Sequence, residues 1–135
     1  MGKPVDLTAY DRGFNHVGIP TSNLEKSLAF YEGLGFRLIF PTDRTQLNGL
    51  TFVKLGNTII ELIPKKDQAT PMTAGAVDHF CIHISNIKEV YQKIKAAGYK
   101  FQKELTDLDY VFEKGETIFK IYGINNEIIE FCEIY

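Results

Sequence analysis

Apolar residues along this chain alternate between two spacings, and the alternation occurs twice. Positions 14–20 and 77–84 are short apolar runs rich in β-branched residues, which predicts strands. Each run precedes a segment whose apolar residues recur every three or four positions. These are Leu24, Leu28 and Tyr31 within 24–32, and Ile87, Val90, Tyr91 and Ile94 within 87–97. Such spacing predicts a helix with one buried stripe. Ser22 with Glu25, and Asn86 with Glu89, have capping-box spacing at the two helix starts. Gly33, Gly35 and Gly98 follow the helices, where glycine accepts the left-handed conformation that ends them. Three more strands are predicted in each half: 37–40, 50–55 and 58–63, then 99–103, 110–114 and 117–131. The last is divided by a turn at Gly123-Ile-Asn-Asn126. Lys54-Leu-Gly56-Asn57 and Lys114-Gly115 read as hairpin turns.

The two halves are copies of one unit. His16-Val-Gly-Ile-Pro-Thr-Ser-Asn23 resembles His79-Phe-Cys-Ile-His-Ile-Ser-Asn86, and His16, Asn23 and Phe36 return as His79, Asn86 and Tyr99, each 63 residues on. Asn57-Thr-Ile-Ile-Glu61 returns as Asn126-Glu-Ile-Ile-Glu130, 69 residues on, so the second copy carries about six extra residues, expected in a loop near 106–110. Two β-α-β-β-β modules make an α+β domain. Their helices cover one face of a curved, U-shaped mixed sheet and leave the other face open. The expected organisation is a single domain over 1–135, with a tail at 1–13, modules at 14–66 and 77–135, and a linker at 67–76.

Composition narrows the partners. The chain has 135 residues, 15 basic against 17 acidic, for a formal charge of −2, and 44% of residues are hydrophobic. That balance gives no electrostatic case for nucleic acid or an anionic membrane surface. No apolar run approaches the roughly 18 residues of a membrane helix, and the first nine residues lack the apolar core of a secretory signal. A cytoplasmic setting and a small-molecule partner are the expectation. Cys81 and Cys132 have neither a disulfide-framework nor a zinc-finger spacing.

Strand alternation assigns the candidate chemistry. If Val17 and Ile19 pack against the helices, then His16, Gly18 and Pro20 face the other way. If Phe80, Ile82 and Ile84 pack, then His79, Cys81 and His83 oppose them. Ile60 with Leu62, and Ile129 with Phe131, likewise send Glu61 and Glu130 to the open face. Each module thus contributes one His and one Glu. Burying two imidazoles and two carboxylates unpaired is costly, whereas a zinc- or nickel-like ion accepts both donor types. The four side chains are expected to converge to about 2–2.3 Å of one cation. Cys81, Cys132 and His83 are expected as residues lining the open face. Arg44, Lys65 and Lys66 are candidate contacts for a substrate carboxylate or phosphate, with solvated surface charge the commoner fate of such residues.

His16-Val-Gly-Ile, with Leu24-Glu25-Lys26-Ser27-Leu28-Ala29-Phe30-Tyr31 and Leu34-Gly35-Phe36, resembles the opening signature of the vicinal oxygen chelate superfamily. The resemblance spans about 14–133. It implies paired βαβββ modules around a divalent ion (zinc or nickel, with cobalt, manganese or iron as alternatives), often in a homodimer. Within the superfamily the His, Glu, His, Glu ligand pattern is that of bacterial glyoxalase I, so the implied metal ligands are His16, Glu61, His79 and Glu130. Extradiol dioxygenases and fosfomycin-modifying enzymes lack the second position, and methylmalonyl-CoA epimerase has Gln there. The implied reaction is proton transfer through an enediolate held by a Lewis-acidic ion, with Glu130 as base and Glu61 as its counterpart. Pro20 and Lys65 stand where glyoxalase I has the Arg and Asn that serve glutathione, which leaves another thiol adduct or a CoA ester as alternatives. The competing expectations are an epimerase-like isomerase, a bleomycin-resistance-type binder, and a three-ligand dioxygenase or thiol transferase.

Overall fold

The structure, a computed structural model, describes residues 4, 6, 8–14, 16–47, 49–65, 75 and 77–135. Its elements run β1 (Val17–Thr21), α1 (Leu24–Gly33), β2 (Arg37–Phe40), β3 (Thr51–Leu55), β4 (Thr58–Pro64), β5 (Phe80–His83), α2 (Ile87–Ala96), β6 (Phe101–Leu108), β7 (Glu116–Tyr122) and β8 (Ile128–Ile134), with a short 3₁₀ turn at Arg44–Gln46. The linker expected at 67–76 lies outside the described residues except for Gly75, and the 1–13 tail lies partly outside them.

The duplicated α+β architecture is present as two four-stranded mixed sheets, ordered β1-β4-β3-β2 and β5-β8-β7-β6. Each opens with a parallel pair, β1 with β4 and β5 with β8, and continues antiparallel. Each expected module thus contributes one four-stranded mixed sheet. Among the described residues β1 pairs only with β4 and β5 only with β8, which leaves an edge of each strand unpaired.

Helix α1 rests on β4 and β2, and α2 on β7 and β8. Leu28 and Tyr31 on α1, and Val53, Ile60, Leu62, Phe119, Ile121 and Ile129 on the strands, are fully buried. With Ile82, Ile87 and Phe131 they belong to one core that spans both modules. Burial of each such side chain contributes about 1.5–3 kcal/mol before the entropy of ordering it.

Several element ends differ from expectation. Phe14 and Val77 precede the strands they were expected to join, and Phe14 is 89% exposed. Segment 110–114 is not a strand. It belongs to the connection ahead of β7, while β6 runs on to Leu108. Gly115, at φ +80°, ends that connection, and a Cβ there would meet the Leu108 carbonyl oxygen at 3.0 Å and Asp109 Cα at 3.2 Å. The extra residues of the second module therefore lengthen β6, β7 and the β7–β8 turn, while the loop after β6, at 109–115, is shorter than its counterpart at 41–50.

The helix starts differ too. Asn23, not Ser22, caps α1, its side chain accepting from the Lys26 amide. Asn86 takes a left-handed φ of 54° and offers no side-chain cap. The Glu133 carboxylate, from β8, accepts from the Asn86 and Ile87 amides instead. A carboxylate at that end also complements the helix dipole.

A buried polar latch joins the modules. Asn125, in the β7–β8 turn, donates to Ser27 Oγ on α1 and accepts from the Ser22 amide. Tyr31 on α1 donates to Glu127 Oε1 at 2.8 Å, and the Asn125 amide donates to Glu127 Oε2. Desolvation raises the Glu127 carboxyl above its ordinary value despite those donors. Desolvation, followed by Glu127 itself, raises the Tyr31 hydroxyl well above its own.

A carboxyl raised in the folded state favours folding below its unfolded value and loses that contribution as pH climbs through the raised one. Glu127→Gln cannot ionise, so its stability relative to wild type should increase as pH rises from about 4 to about 7. Urea unfolding midpoints of the two proteins across that range test this; a constant or shrinking difference contradicts it.

Candidate metal centre

The parallel pairing sets the geometry. Gly18 is in register with Glu61 on β4, and Cys81 with Glu130 on β8. Each His lies two residues before its registered neighbour, so it shares the open face with the Glu, one pleat away. His16 Nε2 is 3.0 Å from Glu61 Oε2, and His79 Nε2 is 3.6 Å from Glu130 Oε2. A Cβ on Gly18 would come within 3.1 Å of Ile63 Cδ1 and 3.5 Å of Glu61 Oε2, so the absence of a side chain there leaves room beside the carboxylate.

The four expected ligands therefore meet as two His–Glu pairs, not as one tetrad. Among the described residues no three His, Cys, Asp or Glu side chains converge as a metal cage. The physical reason lies in the sheets. The histidines sit on or just before β1 and β5, which are edge strands of separate sheets. A cavity of about 300 Å³ lies between them, lined by Val17, Ile19 and Pro20 on one side and by Asp78, His79 and Phe80 on the other.

The donor chemistry nonetheless fits a divalent ion. Asp78 Oδ2 accepts from His79 Nδ1 at 2.7 Å, across the ring from the Nε2 that lies 3.6 Å from Glu130. That hydrogen bond holds the Asp78 carboxyl below the usual carboxylate range. A carboxylate behind an imidazole is the support that metal-ligating histidines generally have. His16, Glu61, His79 and Glu130 are the residues that would hold the ion, two imidazole nitrogens and two carboxylates in a set suited to zinc or nickel.

The remaining candidates are accounted for locally. Arg44 makes a two-pronged pair with Glu32 on α1, at 2.6 and 3.0 Å. Lys65 follows β4, its amide donating to the Thr21 carbonyl, and Lys66 lies outside the described residues. His83 Nε2 accepts from the Ile134 amide and ties β5 to the end of β8. Cys81 and Cys132 lie together beside Glu130. Desolvation first, and then the Cys132 thiol and Glu130, push the Cys81 thiol far above its ordinary value, which keeps it protonated and a poor nucleophile.

Two further residues stand beside the glutamates across the strand register. Lys120 on β7 is in register with Glu130, and its Nζ lies 3.2 Å from Glu130 Oε2. Phe52 on β3 holds the same register position against Glu61, edge-on to the His16 ring at 5.4 Å. The alternation around Phe119 and Ile121 puts Lys120 on the open face, but only the cross-strand register shows its neighbour.

The family model described as Glyoxalase/Bleomycin resistance protein/Dioxygenase superfamily matches residues 13–120. The mitochondrial methylmalonyl-CoA epimerase of Homo sapiens is 31% identical over 90 residues, covering 60% of this chain and 51% of that protein. The lactoylglutathione lyase of Schizosaccharomyces pombe (strain 972 / ATCC 24843) is 29% identical over 119 residues, covering 70% and 37%. The chain thus spans about half or less of the length of these curated relatives. Among solved structures, a putative glyoxalase family protein from Bacillus anthracis aligns with a TM-score of 0.69 at 23% identity over 93% of this chain and 98% of that one. A glyoxalase family protein from Enterococcus faecalis aligns with a TM-score of 0.70 at 22% identity over 90% and 98%. These similarities agree with the two-module fold.

If Asp78 orients His79 for an ion, Asp78→Ala should weaken divalent-ion affinity by about 10- to 100-fold. Isothermal titration with Zn²⁺ or Ni²⁺ measures it, and an unchanged affinity contradicts that role.

Proposed function

Because the chain belongs to the Glyoxalase/Bleomycin resistance protein/Dioxygenase superfamily, we propose that it is a metal-dependent lyase or isomerase of the glyoxalase I type. It moves a proton between adjacent carbons of a thiol adduct of a 2-oxoaldehyde. The observation that carries this reading is the repeated pairing of an imidazole Nε2 with a carboxylate on the open face, at 3.0 Å in one module and 3.6 Å in the other. Superfamily members usually hold a divalent ion, and a four-donor set with two carboxylates supports that expectation here.

When bound, the ion supplies Lewis acidity to adjacent substrate oxygens. The chain supplies the proton carriers. Glu130 on one sheet takes the proton from the reacting carbon, and Glu61 on the other returns one to its neighbour, as a pair of carboxylates flanking one substrate can. Asp78 keeps the His79 tautomer fixed throughout. Phe52, edge-on to His16, and Phe40, 6.1 Å from Phe52 in a second edge-on contact, place apolar rings beside His16 and Glu61. Pro20 and Lys65, in place of the Arg and Asn that serve glutathione, favour a thiol other than glutathione.

A homodimer in the cytoplasm belongs to the same reading. The superfamily is small-molecule binding and commonly dimeric, and among the described residues no helix is long and apolar enough to cross a membrane. A second reading, a methylmalonyl-CoA epimerase-like isomerase, is favoured by the 31% identity to the human epimerase. It uses the same carboxylates on an acyl thioester.

The experiment is a turnover assay of the metal-loaded protein with methylglyoxal plus several thiols, and with methylmalonyl-CoA in D₂O. Thioester formation supports the lyase; deuterium wash-in at the acyl carbon supports the epimerase. Neither, with no ion retained, leaves the bleomycin-resistance-type binder. Glu130→Gln should lower kcat by about 100-fold or more, and Glu61→Gln should also cripple turnover or deplete the ion. Full activity of Glu61→Gln would point instead to the three-ligand chemistry of a dioxygenase or thiol transferase.

A further inference from the structure

We propose that Lys120 is a built-in counter-cation of the candidate metal centre, weakening divalent-ion binding on its own and favouring an anionic ligand once an ion is bound. This inference rests on the metal reading above and concerns a residue outside the ligand set. Lys120 and Glu130 are both largely buried, with side chains 17% and 12% exposed, and their charged atoms are 3.2 Å apart. The same Glu130 oxygen lies 3.6 Å from His79 Nε2. In the first module the registered position holds Phe52, so the duplicated site is asymmetric by one positive charge, placed against one carboxylate.

The consequence follows from electrostatics. A divalent ion drawn to Glu130 must share that carboxylate with an ammonium already beside it, and two cations at close range in a partly desolvated site repel. The first module imposes no such cost on Glu61. Once Glu130 turns toward an ion, Lys120 is left as a largely buried charge with only the more distant, exposed Asp78 carboxylate to offset it, which is costly. An anionic oxygen on a ligand, whether a carboxylate or an enolate, relieves it. Ion and anion then bind cooperatively, each raising the affinity of the other. Lysine suits this role because its flexible stem lets the ammonium turn from Glu130 to a ligand.

The test uses the full chain as wild type, Lys120→Met and Lys120→Arg, with Lys120→Gln as a second neutral variant should Met at this position fail to fold. Co²⁺ affinity is measured by competition with a colorimetric chelator. Oxalate is then titrated into the Co²⁺-loaded proteins and followed through the visible spectrum. The neutral variants should bind Co²⁺ at least about tenfold more tightly than wild type, and bind oxalate at least about tenfold more weakly. Lys120→Arg should stay within about threefold of wild type in both. Equal or weaker Co²⁺ binding by the neutral variants, or undiminished oxalate binding, overturns the inference while leaving the metal reading intact. No Co²⁺ uptake by any of these proteins overturns the metal reading and this inference with it.

Discussion

Everything at the candidate centre depends on the parallel pairing of the first and last strands of each module. Because β1 pairs with β4, and β5 with β8, a histidine at the start of the first strand and a glutamate in the middle of the last occupy one face a single pleat apart. A one-residue slip in either pairing would turn the Glu toward the helices and bury it against the core. Full burial of Ile60, Leu62 and Ile129 on the helix side opposes such a slip. The hydrophobic core thus sets the chemistry on the opposite face without touching it.

Duplication supplies two such faces, and later divergence makes them unequal. Gly18 stands beside Glu61 where Cys81 stands beside Glu130, and Phe52 faces one glutamate where Lys120 faces the other. The helix starts diverge in the same way, with Asn23 capping α1 from its own side chain and Glu133 capping α2 from β8. The first module is the smaller and more apolar half of the centre. The second carries the charge network Asp78, His79, Glu130 and Lys120.

Local patterning made the repeat, both helices, and the His–Glu face of each module legible. Those features rest on side-chain period and composition, and β2 was bounded correctly for the same reason. What stayed hidden depends on residues far apart in sequence. The Glu133 cap lies 47 residues from Asn86. The Asn125 contact with Ser27 spans 98, and Lys120 acquires its meaning only from the antiparallel register with β8. Segment 110–114 misled because its apolar Tyr110, Val111 and Phe112 imitate a strand, whereas Phe112 takes a left-handed φ of 60°, which no regular strand accommodates.

The central claim is that two His–Glu pairs, one from each sheet, serve a single ion. Elemental analysis of the wild-type chain and of His16→Ala and His79→Ala, each after equilibration with Zn²⁺ and removal of excess metal, tests it directly. The account predicts one tightly held ion per wild-type chain and its near-complete loss in either variant. Two ions in the wild type with one surviving in each variant, or full retention after removal of either imidazole, would contradict it.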